Sequence, residues 1–202
     1  MTVIDDKARD ALDQMFSSSF GKSGDDELVV TLKAIVRGED DIEIPEEFLA
    51  EPKKDTELDE EELDEEGGNL HALINDMSIP QKIKLALFGN KLARGLLIRD
   101  PNRQVSLVVL QNGGLTEGEV VDFARNSNLD EQIHRRIAGN STWMKNYEMK
   151  IAVVTNPKVP IDISMKYVKF LNDRDLKKLS RSKNVPGAIA TQCRKMSEKR
   201  SK

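Results

Sequence analysis

The chain has 202 residues, 38% of them hydrophobic, 33% charged and 4% aromatic, with a net charge of −4. It is more polar than an ordinary globular domain and poor in the aromatic side chains on which sandwiches and barrels lean. No apolar run reaches membrane-span length, the single Cys193 excludes a disulfide framework or a one-chain thiolate cage, and the acidic start has no apolar run behind it, so a cytoplasmic, reducing setting is expected.

Residues 1–50 hold two short amphipathic segments. Over 3–16, Ile4, Ala8, Leu12 and Phe16 recur every four residues. Over 26–37, Leu28, Leu32, Ile35 and Val36 mark a second face, with Asp25 or Asp26 as a cap and Gly38 as a stop. Helices this short bury little alone. They must pack together, dock on the rest of the chain, or wait for a partner, and Ile4, Leu12, Phe16, Leu28, Leu32 and Ile35 are the expected docking residues of a helix-in-groove ligand.

Residues 51–77 read as an acidic flexible linker. Its centre is a tandem copy, Glu57-Leu58-Asp59-Glu60-Glu61 and Glu62-Leu63-Asp64-Glu65-Glu66, before Gly67-Gly68. Like charges this dense resist packing. Residues 1–78 carry 24 acids and 7 bases, whereas 79–202 carry 11 acids and 24 bases. The linker is either a solubilising spacer or an electrostatic decoy for the basic half.

From Ser78 the rhythm is helical. Helices are expected near 80–88, 90–99, 101–111, 117–125, 130–138, 142–154, 160–171, 173–181 and 186–197, leaving 198–202 as a frayed basic tail. Asn112, Asn126, Asn140, Asn156, Asn172 and Asn184 recur at the breaks and suggest left-handed C-terminal caps. Starts are marked by Ser78 before Pro80, Asp100-Pro101, the capping-box pair Thr116 and Glu119, Asp130 and Ser141. Apolar faces include Val105, Val108 and Val109; Ile133 and Ile137; and Met144, Tyr147 and Ile151. Stacking such faces, two helices in about 26–30 residues, predicts an all-α solenoid over 78–197.

Arg99-Asp100-Pro101-Asn102-Arg103 with Val108-Val109 and Asn112, then Ile137-Ala138-Gly139-Asn140, then Lys150 through Pro157, resemble the helix–Asn–Pro units of HEAT-like and leucine-rich-repeat-variant α-solenoids. The resemblance covers 78–196, implies short stacked helices, and is silent on activity. The Cys-rich iron–sulfur segment of some repeat-variant proteins is absent, so no cluster is implied.

Chemistry-bearing motifs are sparse. His71 adjoins the acidic linker and His134 stands beside Arg135 and Arg136, a setting that disfavours metal. HExxH, a phosphate loop and GxGxxG are missing; Gly113-Gly114 is a turn. Cys193, among Ala188, Ala190 and Met196, reads as a small buried hydrophobe. The expectation is a non-enzyme without metal or cofactor.

Bases carry the information: Arg94, Arg99, Arg103, Arg125, Arg135, Arg136, Lys145, Lys150, Lys166, Lys169, Arg174, Lys177, Lys178 and Arg181 accompany successive helices. Aligned on one repeat surface they would hold an acidic protein, making the chain an adaptor or regulator; the alternative is a nucleic-acid-binding array autoinhibited by its acidic arm. Trp143, Tyr147, Tyr167 and Phe170 are better used in a core than as stacking platforms, which favours the protein partner.

Overall fold

The computed structural model describes residue 10 and residues 26–45, 48–49 and 71–200. Ile4, Leu12, Phe16 and the tandem acidic repeat lie outside the described residues. The described regular structure is entirely helical, and the chain falls into two compact units, Met1–Leu115 and Thr116–Lys202.

In the first unit α1 spans Asp26–Arg37, α2 Ile79–Phe88, α3 Lys91–Leu97 and α4 Arg103–Val109. Residues 71–76, expected as the end of the linker, are helical. Gly38 ends α1 as the sequence suggests, with φ +72°, the Gly38 N–H bonded to the Ile35 carbonyl and the Glu39 N–H to the Ala34 carbonyl. A Cβ resists that left-handed conformation, which explains the glycine. Leu32 and Ile35 are fully buried, and α1 packs against α2. The docking expectation for these two residues is therefore corrected: they already belong to this unit's core and offer no free face to a partner.

At the head of α2, the Gln81 side-chain carbonyl accepts from both the N–H and the hydroxyl of Ser78, at 2.9 Å each. Ile83, Leu85, Leu87, Leu97, Val105, Val108 and Val109 are buried with Leu32 and Ile35 in the core of the unit. Gly89, between α2 and α3, is there for space: a Cβ would stand 2.4 Å from the Leu85 carbonyl oxygen and 2.9 Å from the Ala93 Cβ.

In the second unit α5 spans Glu117–Arg125, α6 Glu131–Gly139, α7 Tyr147–Thr155, α8 Ile161–Val168, α9 Asp173–Leu179 and α10 Gly187–Arg200, with a 3-10 turn at Trp143–Lys145. The Thr116–Glu119 capping box forms as its spacing predicts, and Asp130 caps α6. The single helix expected over 142–154 is broken. Asn140, rather than Ser141, accepts from Thr142 and Trp143, and Asn146 then caps a new helix by accepting from Glu148. A short polar side chain that bonds forward to the backbone competes with helix continuation, and it wins here. The break rotates the buried face of α7 onto Met149, Ala152, Val153 and Val154, leaving Tyr147 and Ile151 half-buried.

A local pattern recurs. The caps before α2, α5 and α8 (Ser78, Thr116 and Pro160) are 38 and 44 positions apart, and those before α3, α6 and α9 (Asn90, Asp130 and Asn172) are 40 and 42 apart. By cap position, the described helices from Ser78 on therefore recur in threes about 40 residues apart, where the sequence reading expected pairs in 26–30. Within each set of three the third helix packs on the first or second: α4 on α2, α7 on α5, α10 on α9.

The recurring asparagines work differently from the expectation too. Among the described residues the only positive φ is at Gly38, so none of these Asn residues is a left-handed cap. Instead, Asn112 after α4 donates from Nδ2 to the Ala86 and Gly89 carbonyls at 2.9 and 3.1 Å. Asn156 after α7 donates to the Ala124 and Asn126 carbonyls at 2.8 and 3.2 Å. Each Oδ1 also accepts the N–H two residues on, from Gly114 and Lys158. The side chain of one helix end thereby satisfies carbonyls at the end of the helix two elements earlier, where the helix itself supplies no donor.

Candidate interaction surface

Among the described residues one large cation, Arg94, is buried in the interior. Arg94 is the fourth residue after the Asn90 cap, 2% exposed, and donates from Nη1 to the Gly89 carbonyl at 3.0 Å. It is a structural donor, which corrects its assignment to a binding surface: a fully buried guanidinium cannot reach a partner. His134 occupies the matching place, fourth after Asp130, and is 1% exposed. Neither ring nitrogen makes a hydrogen bond of good geometry, although the Asn126 carbonyl is close by. Burial pushes its pKa below the usual 6.5, outweighing the Asn126 carbonyl and the Asp130 carboxylate, so the ring is neutral.

Arg99 and Arg103 are exposed on the first unit; the remaining eleven candidate bases belong to the second. There they divide by their neighbours. Arg125 pairs with Asp122 and Glu148 at 3.7 and 3.6 Å, Arg135 with Glu131 at 2.7 Å, and Lys150 Nζ donates to the Lys145 carbonyl. Arg136 and Lys145 point to solvent.

The segment 160–200 is where unpaired positive charge accumulates, with eleven bases against four acids. Two of those acids are spent internally. Asp173 is bound by Arg200 at 3.0 Å, and Asp175 accepts the Tyr147 hydroxyl at 2.6 Å. Arg200 also donates to the Leu171 and Lys169 carbonyls at 2.7 Å each, so α10 is anchored to its last residue where a frayed tail is expected. Lys169 lies 5.0 Å above the Phe170 ring. Lys166, Arg174, Lys177, Lys178 and Arg181 are exposed, without ion-pair partners among the described residues.

Three bases meet in a concavity. An open cleft of about 390 Å³ is lined by Lys177, Ser180 and Arg181 from the end of α9 and its following turn, and by Arg194, Ser197 and Glu198 from α10. The sequence reading placed Arg194 on the 186–197 helix but did not count it among the candidate bases. Its signal was helical: Arg194, Ser197 and Glu198 fall at i, i+3 and i+4, on the side of α10 away from buried Ile189 and Cys193. That core, with Val154, Val168, Leu171, Leu176, Leu179 and Val185, fixes the cleft walls. Sulfur chemistry is not on offer there, since burial raises the Cys193 pKa and holds the thiol protonated.

Among the described residues no group of three or more His, Cys, Asp or Glu is placed to hold a metal ion, and no helix is long and apolar enough to cross a membrane. No protein-family model, curated protein or solved structure matches the chain.

Proposed function

We propose that the protein is a non-enzymatic interaction module, an adaptor or regulator, that holds an acidic protein partner on the basic face of its second unit. The observation that carries this reading is the imbalance over 160–200, where eleven bases face four acids, two of those acids are held in internal contacts, and most of the bases are left facing solvent. A soluble surface needs charge, but it does not need charge of one sign in one place. The three-helix rhythm supports a HEAT-like array, a class of architecture that presents broad binding surfaces.

Nucleic acid is the less favoured partner. Tyr167 donates its hydroxyl to the Ala138 carbonyl, Tyr147 is tied to Asp175 and Asn172, and Trp143 is half-buried, so these three rings serve packing rather than base stacking; Phe170, expected in the core, is instead exposed beneath Lys169 and is a single ring outside the cleft. The acidic tandem at 57–66 acts as a competitor in cis, weakening partner binding until a better ligand displaces it.

The test is a comparison of ligands on the full chain. Fluorescence anisotropy with labelled poly-glutamate, duplex DNA and single-stranded RNA, from about 50 to about 300 mM salt, separates the classes. Poly-glutamate is expected to bind more tightly than either nucleic acid at about 150 mM salt. Sub-micromolar nucleic-acid binding with a steep salt slope overturns the reading.

A further inference from the structure

Resting on that reading, we infer that the α9–α10 cleft is the seat of recognition, and that it accepts an acidic peptide segment in extended form, with carboxylates paired to Arg181 and Arg194 and backbone amide groups turned toward Glu198. The lining is mixed in a way that chooses between polyanions. Lys177, Arg181 and Arg194 supply three cations, two of them guanidinium forks suited to carboxylates. None of the three has an ion-pair partner among the described residues, so no ion pair of theirs there competes with a ligand.

Glu198 is the discriminating group. It stands in the same cleft as the three bases, and the structure places no cation in ion-pair distance of it among the described residues. A ligand that is negative at every repeat, such as a sugar-phosphate backbone, meets Glu198 as a repulsion. A peptide does not, because it alternates acidic side chains with N–H donors that a carboxylate accepts. The six lining residues include no aromatic ring, so nothing in the cleft stacks on a base. The cleft is also short: it is built from the end of α9 and one stretch of α10, which suits a few residues of peptide rather than a long duplex.

The walls are rigid enough to present these groups. Leu176 and Leu179 on α9 and Ile189 and Cys193 on α10 are buried together, which leaves the cationic side chains on the outer faces of two helices already fixed to each other. Substituting the outer residues therefore tests recognition without removing core.

The experiment uses the full chain with the acids of 57–66 replaced by Ser and Asn, so that the arm does not compete. The probe is a fluorescein-labelled decapeptide, Glu-Leu-Asp-Glu-Glu-Glu-Leu-Asp-Glu-Glu, titrated at about 100 mM salt. The pair Arg181→Gln with Arg194→Gln is compared with the charge-matched pair Lys33→Gln with Lys158→Gln, which lies outside the cleft and outside the 160–200 segment. Circular dichroism checks that both pairs stay folded. The cleft pair is expected to lose roughly tenfold or more in affinity, the control pair about twofold or less. In addition, Glu198→Gln is expected to raise affinity for a DNA oligonucleotide more than for the decapeptide. Equal weakening by the two pairs overturns the cleft assignment and leaves the acidic-partner reading standing. A parent chain that binds the oligonucleotide more tightly than the decapeptide overturns both.

Discussion

Asn156 offers the sharpest test of how the helices are joined. It is 4% exposed, donates to the Ala124 and Asn126 carbonyls at 2.8 and 3.2 Å, and accepts from the Lys158 N–H at 2.9 Å. Lys158 is exposed, so water replaces the third bond when the side chain is removed. The two carbonyls are not so easily rescued, and at about 1–1.5 kcal/mol each Asn156→Ala should cost about 2–3 kcal/mol. Asn156→Asp is the more telling change. It keeps the size and the acceptor for Lys158 but turns the donor into a charged oxygen facing two carbonyls, and should cost about 3–5 kcal/mol. Asn128→Ala, at an exposed side chain in the loop after α5, is the control and should change stability by less than about 0.5 kcal/mol. Trp143 is the chain's single tryptophan and lies in the same unit, so its fluorescence in urea reports this unit's unfolding. With a urea slope of about 1–1.5 kcal/mol/M, the alanine variant's midpoint should fall by roughly 2 M. An Asp variant as stable as the parent, or more stable than the Ala variant, refutes the bridging role.

Three further outcomes follow from the same contacts. Val109 is fully buried, so Val109→Asp should unfold the first unit, costing more than about 4 kcal/mol; a circular dichroism melt with an unchanged first-unit transition contradicts that core. His134 holds a lowered pKa in the folded state, so the unfolded chain takes up a proton that the folded chain refuses as pH drops below 6.5. Stability of the second unit should decline from about pH 7 toward the folded pKa and then level off, and His134→Gln should flatten that decline in Trp143-monitored urea midpoints; an identical slope in the variant removes His134 as its source. Replacing the acids of 57–66 by Ser and Asn should raise affinity for poly-glutamate several-fold at low salt, less so as salt rises, and unchanged affinity leaves the segment a spacer.

The sequence was most legible where the physics is local. Thr116 with Glu119, Asp130 before α6 and Gly38 after α1 all act within a few residues of themselves, and spacing alone identifies them. It misled where a local signal admits two outcomes. Asp100 reads as a helix cap, but it accepts from the Asn102 N–H and pairs with Lys82 at 3.2 Å, while Asn102 caps α4. Distance hid the rest. Asn112 and Asn156 mark helix ends correctly, yet their purpose is set by carbonyls 23 to 32 positions earlier. Likewise Arg94 looks like any other base until its burial against Gly89 is seen. Candidate binding residues were legible as a population of cations. Which of them stand unpaired depends on where Glu131, Glu148 and Asp173 land, and that is a tertiary fact.

The claim at the centre is that positive charge left over on the last two helices is there to receive a carboxylate-bearing chain. Backbone amide chemical shifts of the full protein, followed as the acidic decapeptide is added, test it most directly. The account predicts that the largest changes gather at Lys177–Arg181 and Arg194–Glu198. Changes spread evenly over both units, or absent at saturating peptide, contradict it.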